Sequence, residues 1–340
     1  MGMSGISSKL RRHSSALLLT SLAVAAVSAS DRAVNAQQAQ ASNRYTTPIP
    51  EEIFTPDTVK TSAGTFRFFD GMPDAETVRT SFENLKFIRG YETFLTLMPA
   101  ASIEMLRHGH AGIGVDDHTK VALLSPLNSN PLFLTGNTDT IYGSTFFNLK
   151  DTGPLVIEIP AGLGPGTIND AFFRFVADTG APGPDKGKGG KYLILGPDDA
   201  EPNNVGDYFV FRSPTYSNWL ILRAFLDSNG MPDKAIAIYE NGLRLYPYSQ
   251  KGNPPQMSFI KAGEQLFNTV HANNFEFFNE LNTVIQREPI AFLDPELRGL
   301  ASSIGLEKGQ PFSPSPEDRK LLEEAIQVGV AYVRSDMGKP

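Results

Sequence analysis

Cysteine is absent from all 340 residues. That excludes disulfides, thiolate nucleophiles, zinc–thiolate centres and lipid attachment through a thiol. Tryptophan occurs once, yet 23 phenylalanines and a hydrophobic content of 41% still supply a well-packed core, enough for two domains. Positive charge is also short, with 30 Lys and Arg against 37 Asp and Glu. Residues 1–36 hold four of those cations against one carboxylate, a net of +3, so a chain starting at Gln37 carries −10 of an overall −7. A body of that sign repels nucleic acid and anionic lipid alike, and neither is an expected partner. Apolar runs long enough to span a bilayer are missing after residue 36.

The first 36 residues read as a secretory signal peptide. Lys9, Arg11 and Arg12 precede the twelve-residue apolar stretch Ala16–Val27, and small residues follow around Val34-Asn35-Ala36. The expected location is therefore periplasmic or secreted, with no membrane span after cleavage. Residues 37–73 read as an N-terminal tail of little structure, rich in Gln, Ser, Thr and Pro up to 65.

Residues 74–118 form an N-terminal helical segment and connector. Asp74 suits an N-cap, Val78, Phe82, Leu85 and Ile88 recur at helical spacing, Gly90 is placed to bend the helix, and Pro99 to stop it. Between 119 and 228 the pattern changes to short apolar runs at 121–124, 131–134, 141–149, 154–159, 171–177, 191–195, 207–211 and 218–225. Without helical stretches between them, these predict an antiparallel two-sheet sandwich. From 229 to 340 the signal turns helical, with a helix expected over 263–286 that includes His271, and a last helix over about 316–335. The fold class is thus α+β, a β-sandwich followed by a helical domain.

The segments LFLTGNTDTIYGSTFFNL (132–149), GPLVIEIP (153–160), DAFFRFVADTGAPGPDKGKGGKYLILGP (170–197) and FNELNTVIQREPIAFLDPELRGLASSIGLEKGQPF (278–312) resemble the domain-of-unknown-function 1254 family, over about 74–335. The resemblance implies an immunoglobulin-like β-sandwich joined to a helical domain. It also implies a C-terminal jelly-roll partner of the domain-of-unknown-function 1214 type, which would begin where this sequence ends at Lys339-Pro340. No reaction comes with it.

Several constellations carry candidate chemistry. A nucleotide loop fails, because Gly190-Lys191 is preceded five positions earlier by Asp185 and followed by Tyr192 and a strand. The glycine-rich turn still offers Asp185, Lys186, Lys191 and Tyr192 as a ligand-binding rim, or else as a solvated loop. In GNTDTIYG, Asn137 reads as a turn former or ligand contact, and Asp139 and Tyr142 as an acid–base pair or plain turn chemistry. Asp170, Arg174 and Asp178 share strand parity, which allows catalysis at Asp170 and bidentate anion binding at Arg174, or a cross-strand salt bridge. His108, His110, Asp116, Asp117 and His118 are the richest histidine–carboxylate group, lying in a glycine-rich connector where spacing says little. No metal and no cofactor is assigned. Gly-x-Ser-x-Gly is absent.

Two functions remain open. One is an exported enzyme acting on a small anionic organic molecule by acid–base or hydrolytic chemistry. The other is a non-enzymatic periplasmic ligand-binding or envelope-interaction protein. The apolar stripe of the last helix leaves a homo-oligomer open as well.

Overall fold

The structure, a computed structural model, describes Pro48 and residues 50–53, 56–133 and 136–338. The expected signal peptide lies outside those residues, as does most of the expected tail. The chain divides into two units, 1–59 with 67–72 and 60–66 with 73–340. Within the expected tail, Thr58–Thr61 (β1), Gly64–Phe69 (β2) and Met72–Pro73 (β3) are strands. Threonine, valine and phenylalanine there favour extended backbone more than the surrounding Pro and Gln suggested.

In the larger unit, Ala75–Gly112 is one helix of 38 residues (α1), capped by Asp74, whose carboxylate accepts from the Thr77 amide at 2.7 Å. It runs through both Gly90 and Pro99, against expectation. Gly90 is a contact point: a Cβ there would sit 2.7 Å from a Leu322 methyl. Pro99 removes one backbone donor, but Phe94, Leu97, Ala100, Ala101, Ile103 and Leu106 around it are buried, and that packing outweighs the break.

Two antiparallel-rich sheets follow. The six-stranded one contains Lys120–Leu124 (β4), Thr140–Asn148 (β5), Gly166–Asp170 (β7), Phe175–Thr179 (β8), Ser217–Phe225 (β11) and Ser258–Lys261 (β13) in the order β13-β4-β5-β11-β7-β8. The four-stranded one contains Leu155–Ile159 (β6), Gly190–Leu195 (β9), Tyr208–Arg212 (β10) and Arg244–Pro247 (β12) in the order β10-β9-β6-β12. Alternate residues from both, including Leu220, Leu222, Ile168, Ile157, Tyr192 and Leu245, form one shared core. Each such buried side chain contributes on the order of 1.5–3 kcal/mol.

Two edge pairs, β9–β10 and β4–β13, run parallel rather than antiparallel. The chain between Leu195 and Tyr208 is long enough for a crossover without a helix. The run at 171–177 is not one strand, since Ala171–Arg174 is a tight turn between β7 and β8. The run at 131–134 shows only an isolated bridge from Leu132 to Asn268, and Leu134 lies outside the described residues.

Beyond 229, β12 and β13 stand within the stretch read as helical. The helices are Asp233–Gly242 (α3, after the short Leu149–Thr152, α2), Glu276–Arg287 (α4), Pro295–Ser303 (α5) and Pro316–Asp336 (α6). The helix expected from 263 begins only at Glu276, so His271 is not helical. Residues 263–274 instead serve tertiary contacts: Thr269 donates to Leu132 O at 2.5 Å, and Gly263 packs where a Cβ would meet Pro126 O at 1.9 Å. Helices α1, α4, α5 and α6 bury a second core around Phe94, Leu97, Phe277, Phe278, Leu281 and Leu322. No helix among the described residues is long and apolar enough to cross a membrane.

Candidate functional site

The strand period decides which side chains meet on the outer face of the six-stranded sheet. Residues facing away from the shared core are Tyr142, Ser144 and Phe146 on β5, Trp219, Ile221 and Arg223 on β11, and Thr167 and Asn169 on β7. The register aligns them in rows, Tyr142 with Arg223, Ser144 with Ile221 and Thr167, and Phe146 with Trp219 and Asn169. Helix α1 covers part of this face through Ile103 and Leu106, which pack on Phe146 and Trp219. Between the sheet, α1 and the 269–271 segment lies a cleft of about 510 Å³, lined by Ser102, Phe133, Tyr142, Asn169, Phe173 and His271 among others.

The cleft joins aromatic walls to a few polar groups, the composition of small-molecule sites. Trp219 is nearly buried, donates to Ser144 Oγ at 2.9 Å, stacks on Phe146 and meets the edge of Phe173 at 5.6 Å. The Arg223 guanidinium lies over the Tyr142 ring, 5.3 Å from its centroid. Among the described residues no carboxylate reaches ion-pair distance of Arg223. Arg223 also lines a neighbouring recess of about 220 Å³ with Asp178 and Pro182. Asn169 is 8% exposed, with Nδ2 near the Phe173 and Arg174 carbonyls and Oδ1 left without a partner. A buried acceptor of that kind costs about 1–3 kcal/mol until a donor meets it.

Three holders outside the walls fix this geometry. Asn137 Oδ1 accepts from the Asp139 amide and from the Thr140 amide and hydroxyl at 3.0–3.1 Å, and the Asn137 amide donates to the Tyr142 hydroxyl at 3.2 Å. Asp170 is fully buried; its Oδ1 accepts from the Phe172 and Arg174 amides at 2.8 Å and its Oδ2 from Arg174 Nε at 2.6 Å. That clamp holds Phe173 at φ +63°, a left-handed conformation a phenylalanine adopts only when its surroundings impose it. Glu280, on α4, takes the Ala272 amide at 3.1 Å on each oxygen, beside His271. His271 Nδ1 lies 3.0 Å from Ala272 O. A carbonyl can only accept, so Nδ1 is the donor in this contact.

The sequence candidates distribute unevenly over this frame. Tyr142 lines the cleft, Asn137 holds it, and Asp170 and Arg174 form the turn that presents Phe173. Asp139 is exposed, and the Tyr142 hydroxyl is met by Asn137 rather than by Asp139. The candidate residues of the glycine-rich turn are engaged away from the cleft. Asp185 is buried and accepts from the Gly189 amide and the Tyr192 hydroxyl, while Lys191 pairs with Glu158 across β9 and β6 at 2.6 Å. Tyr192 lies in the shared core, and burial together with Asp185 pushes its hydroxyl pKa up. Lys186 is exposed.

His108 and His110 sit on α1, not in a connector. His110 is buried against Leu106 O, and burial pushes its pKa down to about 4. Two residues apart on a helix, the imidazoles point in different directions. Among the described residues no cluster of three histidines and carboxylates could hold a metal. A second polar recess of about 370 Å³ includes Arg107, Arg287, Asp116, Asp117 and Asp151. Its arginines are committed to buried carboxylates, Glu104 to both and Glu288 to Arg287.

Arg223, Asn169, Trp219 and His271 were not legible as site residues. The available signal was Arg223 itself, the one charge in the strand SNWLILRAF and of equal parity with Trp219.

Comparison with known proteins agrees with the sequence resemblance. Residues 118–247 match the model of the family described as protein of unknown function (DUF1254). Among solved structures, the VPA0106 protein from Vibrio parahaemolyticus is 15% identical with a TM-score of 0.52, covering 74% of this chain. This chain spans 59% of that protein's length, and the likeness concerns the fold alone. An uncharacterized protein from Burkholderia cenocepacia is 12% identical with a TM-score of 0.23, over 54% of this chain and 53% of its own. No curated protein matches the chain.

Proposed function

We propose that the protein binds a small anionic organic molecule in the cleft above the six-stranded sheet. The observation that carries this is Arg223, a cation with no carboxylate partner among the described residues, set over the Tyr142 ring in the cleft lining. An acidic protein that leaves one arginine uncompensated beside aromatic walls is built to attract an opposite charge. Asn169 Oδ1 adds a call for a donor, so a ligand with both an anionic group and a hydroxyl or amine fits best. The N-terminal basic-then-apolar pattern supports export, and two sheets over one core support an immunoglobulin-like sandwich as the scaffold.

A panel of hydroxy- and amino-carboxylates, read by calorimetry, tests the proposal. Arg223→Gln is expected to weaken any hit by roughly 10–100-fold, the worth of one charge-assisted contact. Lys191→Gln, in an exposed ion pair of the other sheet, is the control and leaves the affinity unchanged. Equal affinity in Arg223→Gln would overturn the assignment. His271 favours a second, enzymatic reading, since it lines the cleft with Nδ1 engaged by Ala272 O, the orientation by which a histidine general base is held. His271→Gln that binds but does not turn the ligand over would support it.

A further inference from the structure

A separate pocket lies among α4, α5 and the 304–308 turn, well away in sequence from the cleft's sheet residues. Its volume is about 320 Å³. Ile285, Phe292, Leu293 and Leu306 make its apolar floor, and Ile290 stands at it while 60% exposed. Two cations accompany this apolar surface. Lys308 is committed, donating to Ile285 O, Gln286 O and Glu288 O at 3.3, 2.7 and 2.5 Å, which closes the C-terminal end of α4. Arg298 is not committed. It is half-buried, and its guanidinium has no hydrogen bond or ion pair among the described residues. Glu307 is the one carboxylate on the lining and lies beyond ion-pair distance of Arg298.

We propose that this pocket binds a medium-chain aliphatic monocarboxylate, its tail on the apolar floor and its carboxylate on Arg298. Charge complementarity fixes the head group, because a half-buried guanidinium carries five donors in a fork that matches a carboxylate. Size fixes the tail. At about 30 Å³ for each heavy atom, 320 Å³ holds on the order of ten, the size of octanoate.

Gly299 supplies a clean test. It lines the pocket, sits within α5, and a Cβ built on it meets no atom within 4 Å. Gly299→Leu therefore adds a bulky side chain at the pocket lining without a clash, while improving helix propensity. Octanoate is titrated calorimetrically into the full-length protein, Arg298→Gln, Gly299→Leu and Arg223→Gln, with octan-1-ol as the uncharged probe. Saturable octanoate binding is expected, weakened at least tenfold in Arg298→Gln and in Gly299→Leu, unchanged in Arg223→Gln, and at least tenfold weaker for octan-1-ol. The melting temperature of Gly299→Leu should equal or exceed that of the unaltered protein. No saturable binding, or binding insensitive to both pocket variants, overturns the proposal. Loss in Arg223→Gln alone would place octanoate in the cleft and overturn it equally.

Discussion

Replacing Glu280 with glutamine should make the protein more stable at alkaline pH and leave it unchanged in mild acid. Burial pushes the Glu280 carboxyl pKa up to about 7 from 4.5, with the Glu276 and Glu104 carboxylates adding to the shift and the Ala272 amide opposing it. A carboxyl whose pKa rises on folding binds more protons in the native state, so its contribution is present below about 4.5 and is lost as pH climbs through 7. The full difference corresponds to about 3.4 kcal/mol. Glu280 is only half-buried, and screening by water reduces that to about 1–2 kcal/mol. Glutamine keeps an acceptor for Ala272 and cannot ionise. Guanidinium unfolding at intervals from pH 5 to 9 should show the variant's advantage growing from near zero to about 1–2 kcal/mol. A difference that stays constant across that range, or a variant less stable at pH 8, would refute the reasoning.

Asp170→Ala removes the acceptor for three donors at the β7–β8 turn and should cost about 2–4 kcal/mol, measured by chemical unfolding. With Phe173 released from its edge contact, emission of the sole tryptophan, Trp219, should shift to the red in the folded variant. Glu104→Gln leaves Arg107 and Arg287 without their shared counter-charge and should cost about 3–5 kcal/mol in the same assay. Gly143→Ala would place a methyl 2.4 Å from the Tyr239 ring, and overpacking of that order costs about 1–3 kcal/mol. It should also weaken the Tyr239 hydroxyl's bonds to Gly143 N and Leu222 O, at 3.1 and 2.9 Å.

Strands with a clear local pattern were legible. IYGSTFFNL and NWLILRAF appear as β5 and β11, and the caps at Asp74, Asp294 and Ser315 each accept a backbone amide as their residue types suggest. What failed depended on partners remote in sequence. Nothing local tells that Gly90 is small because Leu322 presses on it, or that Pro99 is carried through by a buried face. The parallel edges β10 and β13 likewise depend on which strand was left unpaired, a property of the assembled sheets.

The site shows the same division more sharply. Conspicuous residues in the sequence were polar ones at turns, namely Asn137, Asp139, Asp170, Arg174 and the lysines of the glycine-rich loop. In the fold, Asn137 and Asp170 spend their hydrogen-bonding capacity on backbone amides, and Lys191 spends its charge on Glu158. A group already satisfied has little left for a ligand. Arg223 sits on a strand that looked wholly structural and Asn169 on one that no apolar run marked, and both keep an unmet requirement, one for an anion and one for a donor. Unmet polar capacity appears only once every partner is placed, so it is invisible to spacing and composition. The turn residues and the strand residues are nonetheless one device. Asp170 holds Phe173 against Trp219, Asn137 holds the Tyr142 hydroxyl beneath Arg223, and Glu280 holds the segment that presents His271. On this account, altering a holder should change how well the cleft is formed, whereas altering Arg223 should change what the cleft attracts while the fold stays intact.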